Sequence, residues 1–300
     1  MVSELVDGSR DAPDWLDEVG FDPHGTTLAM GTKRLGSRPW LVIDDQFDTE
    51  LGLKARLMAQ NRNAVFGVEA GWEQIAEQAG LETLQLVNEA VSDGDPPLIR
   101  SPDGSGDEMF PLHPLEQAGL LAQEDFCLLR RADSGWVLAV GSVCFPARWR
   151  LSEKLGRGLE AVHGPVSGYK ERLSTRVGSL LDKMIDRVDG SPVWRRNMII
   201  HPNSNLFQPY PPPGGDPVIP ADRCGFELFL RSERQTLRRL PESGWILFTI
   251  KTQQEPLDTV ARARVCDLTR FFIDGDRAML ANRGVGAEQV LQLVEWLSQY

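Results

Sequence analysis

The sequence predicts an α+β fold: short apolar runs of strand length, stretches with helical spacing, and a tight turn signal that joins two of the runs into a hairpin. A 300-residue chain with 41% hydrophobic residues can supply a real core, as one large domain or two modest ones. The formal net charge of −11 makes the surface as a whole repel phosphate backbones and anionic lipid, which argues against a nucleic-acid partner.

Near the start, Trp40-Leu41-Val42-Ile43 reads as a short strand closed by Asp44-Asp45. Thr49 to Gln60 and Gly71 to Val91 read as amphipathic helices, the second with Ile75, Leu81, Leu84, Leu86, Val87 and Val91 as its apolar positions. Ser92 to Gly106 is rich in Asp, Gly, Pro and Ser and marks a boundary. The expected division is a mainly helical region, 1–110, packed on a core domain, 111–300.

Within the second part, Phe126 to Leu129 and Trp136 to Val140 flank Ala132-Asp133-Ser134-Gly135, the signature of a β-hairpin. A helix is expected from about Ser152, with Leu151, Leu155, Leu159 and Val162 on one stripe, ending at His163-Gly164-Pro165. A second helix, roughly Tyr169 to Val188, precedes three strands: Val193 to Ile200, Phe226 to Leu230 and Trp245 to Thr252. The proline-rich stretch from Pro209 to Gly215 must be loop, either a lid or a connector. Helices return at Leu257 to Phe272 and Ala287 to Leu297, the latter burying Val290, Leu291, Leu293, Val294 and Leu297. Two strands, helices and three strands is the order of a PAS-like domain: a five-stranded antiparallel sheet whose helices wall a small-molecule pocket, here with helical elaborations at both ends. Fold alone does not give function.

The acidic N-terminus lacks the basic patch and apolar stretch of a secretory signal, so a cytoplasmic location is expected. No apolar window approaches the roughly 20 residues that cross a bilayer, and no membrane association is expected. Cys127, Cys144, Cys224 and Cys266 form no CxxC half-site and read as buried free thiols. No GxGxxG follows a strand, since Gly284-Val285-Gly286 lies between helices without a third glycine, and no P-loop, GxSxG or HExxH occurs. Nicotinamide and flavin, if used, bind a different chain.

Four histidines are left to weigh. His24 sits in a solvated turn and His113, in Pro-Leu-His-Pro, caps the following helix. His163 lies about 40° from Leu159 on the helical wheel, at the edge of the apolar stripe, where an imidazole either is a hydrogen-bonded core residue or holds haem iron. His201, at a strand end before Pro202, is the second choice for ligand. Haem propionates call for cations, and Arg148, Arg150 and Lys154 cluster around Trp149 in an otherwise acidic protein; the alternative is a solvated helix start. Trp149, Tyr169 and Trp194 could meet a small ammonium through cation–π contact, or could be core.

Several segments together carry a family resemblance: Met30-Gly31-Thr32, Gln123 to Leu129, Val143-Cys144-Phe145-Pro146, Lys154-Leu155-Gly156, Val162 to Val166, Val193 to Asn197 and Glu233 to Pro241. They resemble the haem-dependent oxidative N-demethylase alpha-subunit family over nearly the whole chain. The resemblance implies a PAS-like fold with haem b, His163 as the axial ligand, and oxidation of a small secondary amine such as dimethylamine to a primary amine and formaldehyde with O2. It also implies a hetero-oligomer in which FMN, a 2Fe-2S cluster and NADPH serve partner reductase subunits. Met198 and Ser167 depart from the family pattern. A non-catalytic haem or small-ligand sensor is the rival reading.

Overall fold

A computed structural model describes residues 12–24, 31–91, 112–158, 174–185 and 191–300. Its centre is one sheet of strands β1 (Lys33–Arg34), β2 (Phe66–Val68), β3 (Asp125–Ala132), β4 (Gly135–Ser142), β5 (Val193–His201), β6 (Phe229–Arg239) and β7 (Ile246–Pro256), in the order β1-β5-β6-β7-β3-β4-β2. All neighbours are antiparallel. The helices are α1 (Phe47–Val65), α2 (Glu73–Val91), α3 (Pro114–Gly119), α4 (Ser174–Ile185), α5 (Cys224–Glu227), α6 (Leu257–Asp274), α7 (Arg277–Asn282) and α8 (Ala287–Leu297).

The α+β expectation holds, and five strands does not: the described sheet has seven. The five expected strands from 125 onward are contiguous at its centre, and the N-terminal region adds a short strand at each edge. The hairpin of β3 and β4 forms as its turn chemistry predicts, with Gly135 at φ 116.

Trp40 to Ile43 is not a strand, because its backbone bonds elsewhere. Val42 N–H donates to Glu124 Oε1 (2.8 Å), Asp44 N–H to Gln123 Oε1 (3.0 Å), and the Arg234 guanidinium donates to the carbonyls of Pro39 (2.6 Å) and Trp40 (3.0 Å). The helix expected from Ser152 is also absent over its described part. A single 3-10 turn, Leu151–Glu153, gives way at Gly156 (φ 70), whose N–H bonds Leu138 O while Leu138 N–H bonds Arg157 O. Backbone pairing with β4 therefore replaces helical turns there; Leu159, Val162 and His163 lie outside the described residues. Phe226 belongs to α5 and is exposed, so the strand expected at Phe226 to Leu230 starts at Phe229 and runs on to Arg239.

The two faces of the sheet carry different layers. On one, α2 and α3 pack over Phe126, Leu128, Val140 and Leu247. His113 caps α3 as expected: its Nδ1 accepts from Leu115 N–H at 3.1 Å while Glu116 accepts from His113 N–H. Farther along the same face, helices α6 to α8 bury Val260, Leu268, Phe272, Leu280, Val290 and Leu293 against Met198 and Ile200, while α4 covers the opposite face. Leu291, expected inside, is 64% exposed, since on α8 it falls off the stripe of Val290, Leu293 and Leu297. Ile75 and Leu81 of α2 are exposed for the same reason.

Candidate functional site

Alternation along β5, β6 and β7 sends Val193, Arg195 and Asn197 to the same face as Glu233, Gln235 and Leu237 and as Phe248, Ile250 and Thr252. One end of that face is apolar: Cys127, Leu129, Leu138, Val193, Ile246, Leu237 and Phe248 pack with Leu181 and Met184 of α4 and with Trp149, Leu151 and Leu155. Trp136 Nε1 donates to Asp182 Oδ1 at 2.9 Å and fastens α4 to β4.

The next rungs along the same face are polar. Glu233 stands directly between Asn197 and Thr252, and Gln235 between Arg195 and Ile250. Asn197 Nδ2 (3.1 Å) and Gln235 Nε2 (2.8 Å) both donate to Glu233 Oε2; among the described residues no hydrogen bond reaches Oε1. Thr252 Oγ1 is buried and has no hydrogen-bond partner among the described residues. Burial holds the Arg195 guanidinium below its ordinary range, and the Glu233 charge opposes that shift.

Lys154 borders this row. Its ammonium lies 4.6 Å from the centre of the Trp149 ring, and burial pushes its pKa down against the opposing pull of Cys127 and Glu233. Lys154 and Trp149 are therefore brought together as the sequence predicted. Cys127 faces the same space, but burial and the Asp125 charge raise its thiol to about 12, which leaves it protonated at neutral pH.

The other predicted residues are dispersed. His163 and Tyr169 lie outside the described residues. Arg148 has a left-handed backbone (φ 63) and a two-point ion pair with Asp216 at 2.6 Å. Arg150 is exposed, pairs with Glu153 and lies 5.3 Å from the Tyr210 ring. Trp194 stands on the opposite face from its neighbour Val193, between the guanidiniums of Arg38 (4.9 Å) and Arg234 (5.6 Å), so it cannot share a pocket with Trp149. His201 lines a separate cavity of about 240 Å3, below the roughly 300–1,000 Å3 of sites for drug-sized ligands and too small for a porphyrin.

Asn197, Glu233 and Gln235 lie in segments that carry the family resemblance, but neither they nor Thr252 were given a site role from the sequence. The signal was present: Glu233, Gln235 and Leu237 alternate with Arg234 and Thr236 at period two, so two polar side chains follow the apolar residue onto the face that α4 covers. Gln123-Glu124-Asp125, by contrast, proves to be structural. Gln123 bridges Asp44 and Glu50, Glu124 holds Val42, and Asp125 accepts from Cys144 and Phe145 N–H.

Among the described residues no group of three or more His, Cys, Asp or Glu could hold a bare metal ion, and no helix is long and apolar enough to cross a membrane. The model of one protein family, described as haem-dependent oxidative N-demethylase, alpha subunit-like, matches residues 31–285.

Proposed function

The chain belongs to that haem-dependent oxidative N-demethylase, alpha subunit-like, family, and from this premise we propose that it binds haem b and demethylates a small secondary amine, dimethylamine or a close analogue, using O2. The observation that carries the reading is the junction on one sheet face of an apolar floor with the row Asn197, Glu233, Gln235 and Thr252. The residues fit the cofactor: an aliphatic and aromatic surface suits a porphyrin, and Lys154 and Arg195 are cations beside it whose burial favours an anionic partner such as a propionate. Thr252 Oγ1, without a hydrogen-bond partner among the described residues, is a further polar contact for the cofactor or the amine. His163 is proposed as the iron ligand.

Haem, when bound, supplies oxidation of an N-methyl carbon, whose hydroxylated product separates into primary amine and formaldehyde. The chain's own residues bind and orient the amine. Glu233 offers Oε1 to the ammonium while Asn197 and Gln235 hold Oε2 and fix the carboxylate plane. Trp149, already in contact with the Lys154 ammonium, and Tyr169 are candidates for cation–π contact. The apolar floor keeps bulk water from the reacting carbon.

Electrons come from partners in this reading. The alpha-subunit name of the family supports a multi-subunit assembly; reductase subunits carrying FMN and a 2Fe-2S cluster, fed by NADPH, are proposed on that basis, as is a cytoplasmic setting, which suits the acidic surface. The test is formaldehyde release from a panel of methylated amines, with haem-loaded protein and a chemical reductant. Stoichiometric release supports demethylation. Normal haem binding without formaldehyde from any amine favours the sensor reading, and absence of a haem spectrum after expression with haem supplied overturns demethylation and haem sensing together, leaving only a sensor of another small ligand.

A further inference from the structure

The cavity beside His201 is built differently from the amine site and at a distance from it along the sheet. Its walls are the end of β5 (Ile200, His201, Pro202), the segment Asp216-Pro217-Val218, Leu228, and the first turn of α8 with its approach, Gly284 and Gly286 to Gln289. Gly284 makes this wall possible: at φ 85 it passes so close to β5 that a Cβ there would sit 2.4 Å from the Ile200 carbonyl oxygen. The turn is further held to the strand by Ile200 N–H bonding Arg283 O at 2.8 Å.

Three features of the cavity point one way. The N-cap of α8 is Gly286, which has no side chain to bond the first-turn N–H groups of this 11-residue helix. His201 is 1% exposed, and neither ring nitrogen has a hydrogen-bond partner among the described residues, although a buried imidazole without partners costs stability. Of the remaining walls, Ile200, Pro202, Pro217, Val218 and Leu228 are apolar, while Asp216 is neutralised by Arg148 and the Gln289 amide is engaged by the Ile219 backbone. Half-buried Arg148 and fully buried Arg231 bring positive charge close to His201, offset in part by Asp216, the ion-pair partner of Arg148.

We propose that this cavity is a binding site for a short-chain carboxylate, with the carboxylate received by the α8 N-terminus and the His201 ring and the alkyl body lying against Pro217, Val218 and Leu228. A small inorganic anion would leave the apolar walls unused, and an amine would meet hydrogen-bond donors of the wrong sense at the helix start. Glu288, at the exposed start of α8, disfavours dianions.

The test is calorimetric or NMR titration of the full chain with sodium butyrate, with sodium chloride and n-butylamine as controls. Saturable one-to-one binding of butyrate, at least about tenfold tighter than acetate and absent for butylamine, supports the site; roughly tenfold per added pair of methylenes is what their burial supplies. His201→Phe, which fills the cavity, abolishes binding. Should that variant fail to fold, Ala287→Pro removes one first-turn donor where proline is tolerated in a helix and weakens butyrate binding about tenfold with the thermal midpoint retained. Equal binding of butylamine, unchanged affinity in Ala287→Pro, or no saturation at about 50 mM butyrate, where a Kd of 1 mM would be filled, overturns the proposal.

Discussion

Lys251 Nζ lies 2.8 Å from Glu50 Oε2, a contact buried between the sheet and the first long helix that joins β7 to α1. Asp44 reaches the same ammonium at 3.1 Å, and Gln123 donates to both carboxylates. Burial raises the Glu50 pKa despite Lys251. Asp44 feels the same upward push from burial, but the Lys251 charge and the Gln123 bond outweigh it and hold its pKa low.

Removing one member of this pair strands the other. Lys251→Met is expected to destabilise the fold by roughly 3–5 kcal/mol, because Glu50 is left buried without its counter-charge, whereas Lys251→Met with Glu50→Leu recovers most of that loss. Urea unfolding of the two variants checks this; equal losses would show that the pair does not act as a unit.

The spectral prediction concerns two residues at the proposed haem site. His163→Ala is expected to abolish or drastically change the haem absorption of the purified protein in both oxidation states. Cys127→Ala is expected to leave the spectrum nearly unchanged, since a thiol held at about 12 is not a thiolate ligand at neutral pH. A spectrum sensitive to Cys127 and indifferent to His163 would reverse the assignment.

Glu233→Gln keeps the shape of the side chain and removes its charge. A lost charge-assisted hydrogen bond of roughly 1.5–3 kcal/mol corresponds to an increase in KM for the amine of roughly 10- to 150-fold, with haem absorption unaltered. Steady-state formaldehyde assays measure it, and an unchanged KM would remove Glu233 from the amine site.

His201 sets a pH dependence. Burial first, then Arg148 and Arg231, depress its pKa from 6.5 to about 4, with Asp216 opposing them. The unfolded chain therefore takes up a proton below pH 6.5 that the folded chain takes up only near pH 4, so stability is lost as pH falls through that window. The loss totals about 3 kcal/mol and is flat below it. His201→Gln should flatten this part of the stability profile in chemical denaturation between pH 7 and 4.

Gly284→Ala tests the wall between β5 and α8. The φ of 85 and the 2.4 Å approach to Ile200 O predict a cost on the order of 2–3 kcal/mol in thermal or urea unfolding. A neutral effect would mean that the turn relaxes away from the strand.

What could be read in advance was what local chemistry fixes. The hairpin, α3 with its His113 cap and the span of α8 follow from turn residues, capping and periodicity over a few neighbouring positions. The misreadings share a cause. Trp40 to Ile43 has strand composition, yet its backbone is claimed by Gln123, Glu124 and Arg234 from about 80 to 195 positions away. Leu151 to Leu155 has helical spacing, yet Gly156 turns the chain onto β4.

The α+β class, the hairpin, the terminal helices and, through ordered motifs, the family are written in residues close together along the chain. Which polar residues meet depends instead on how distant segments come together. Strand register set Glu233 beside Asn197 and Thr252 and sent Trp194 to the far face, and the packing of two connecting segments gave Arg148 to Asp216. Pairing between distant strands depends on the packing of the whole sheet, and no local pattern carries that information.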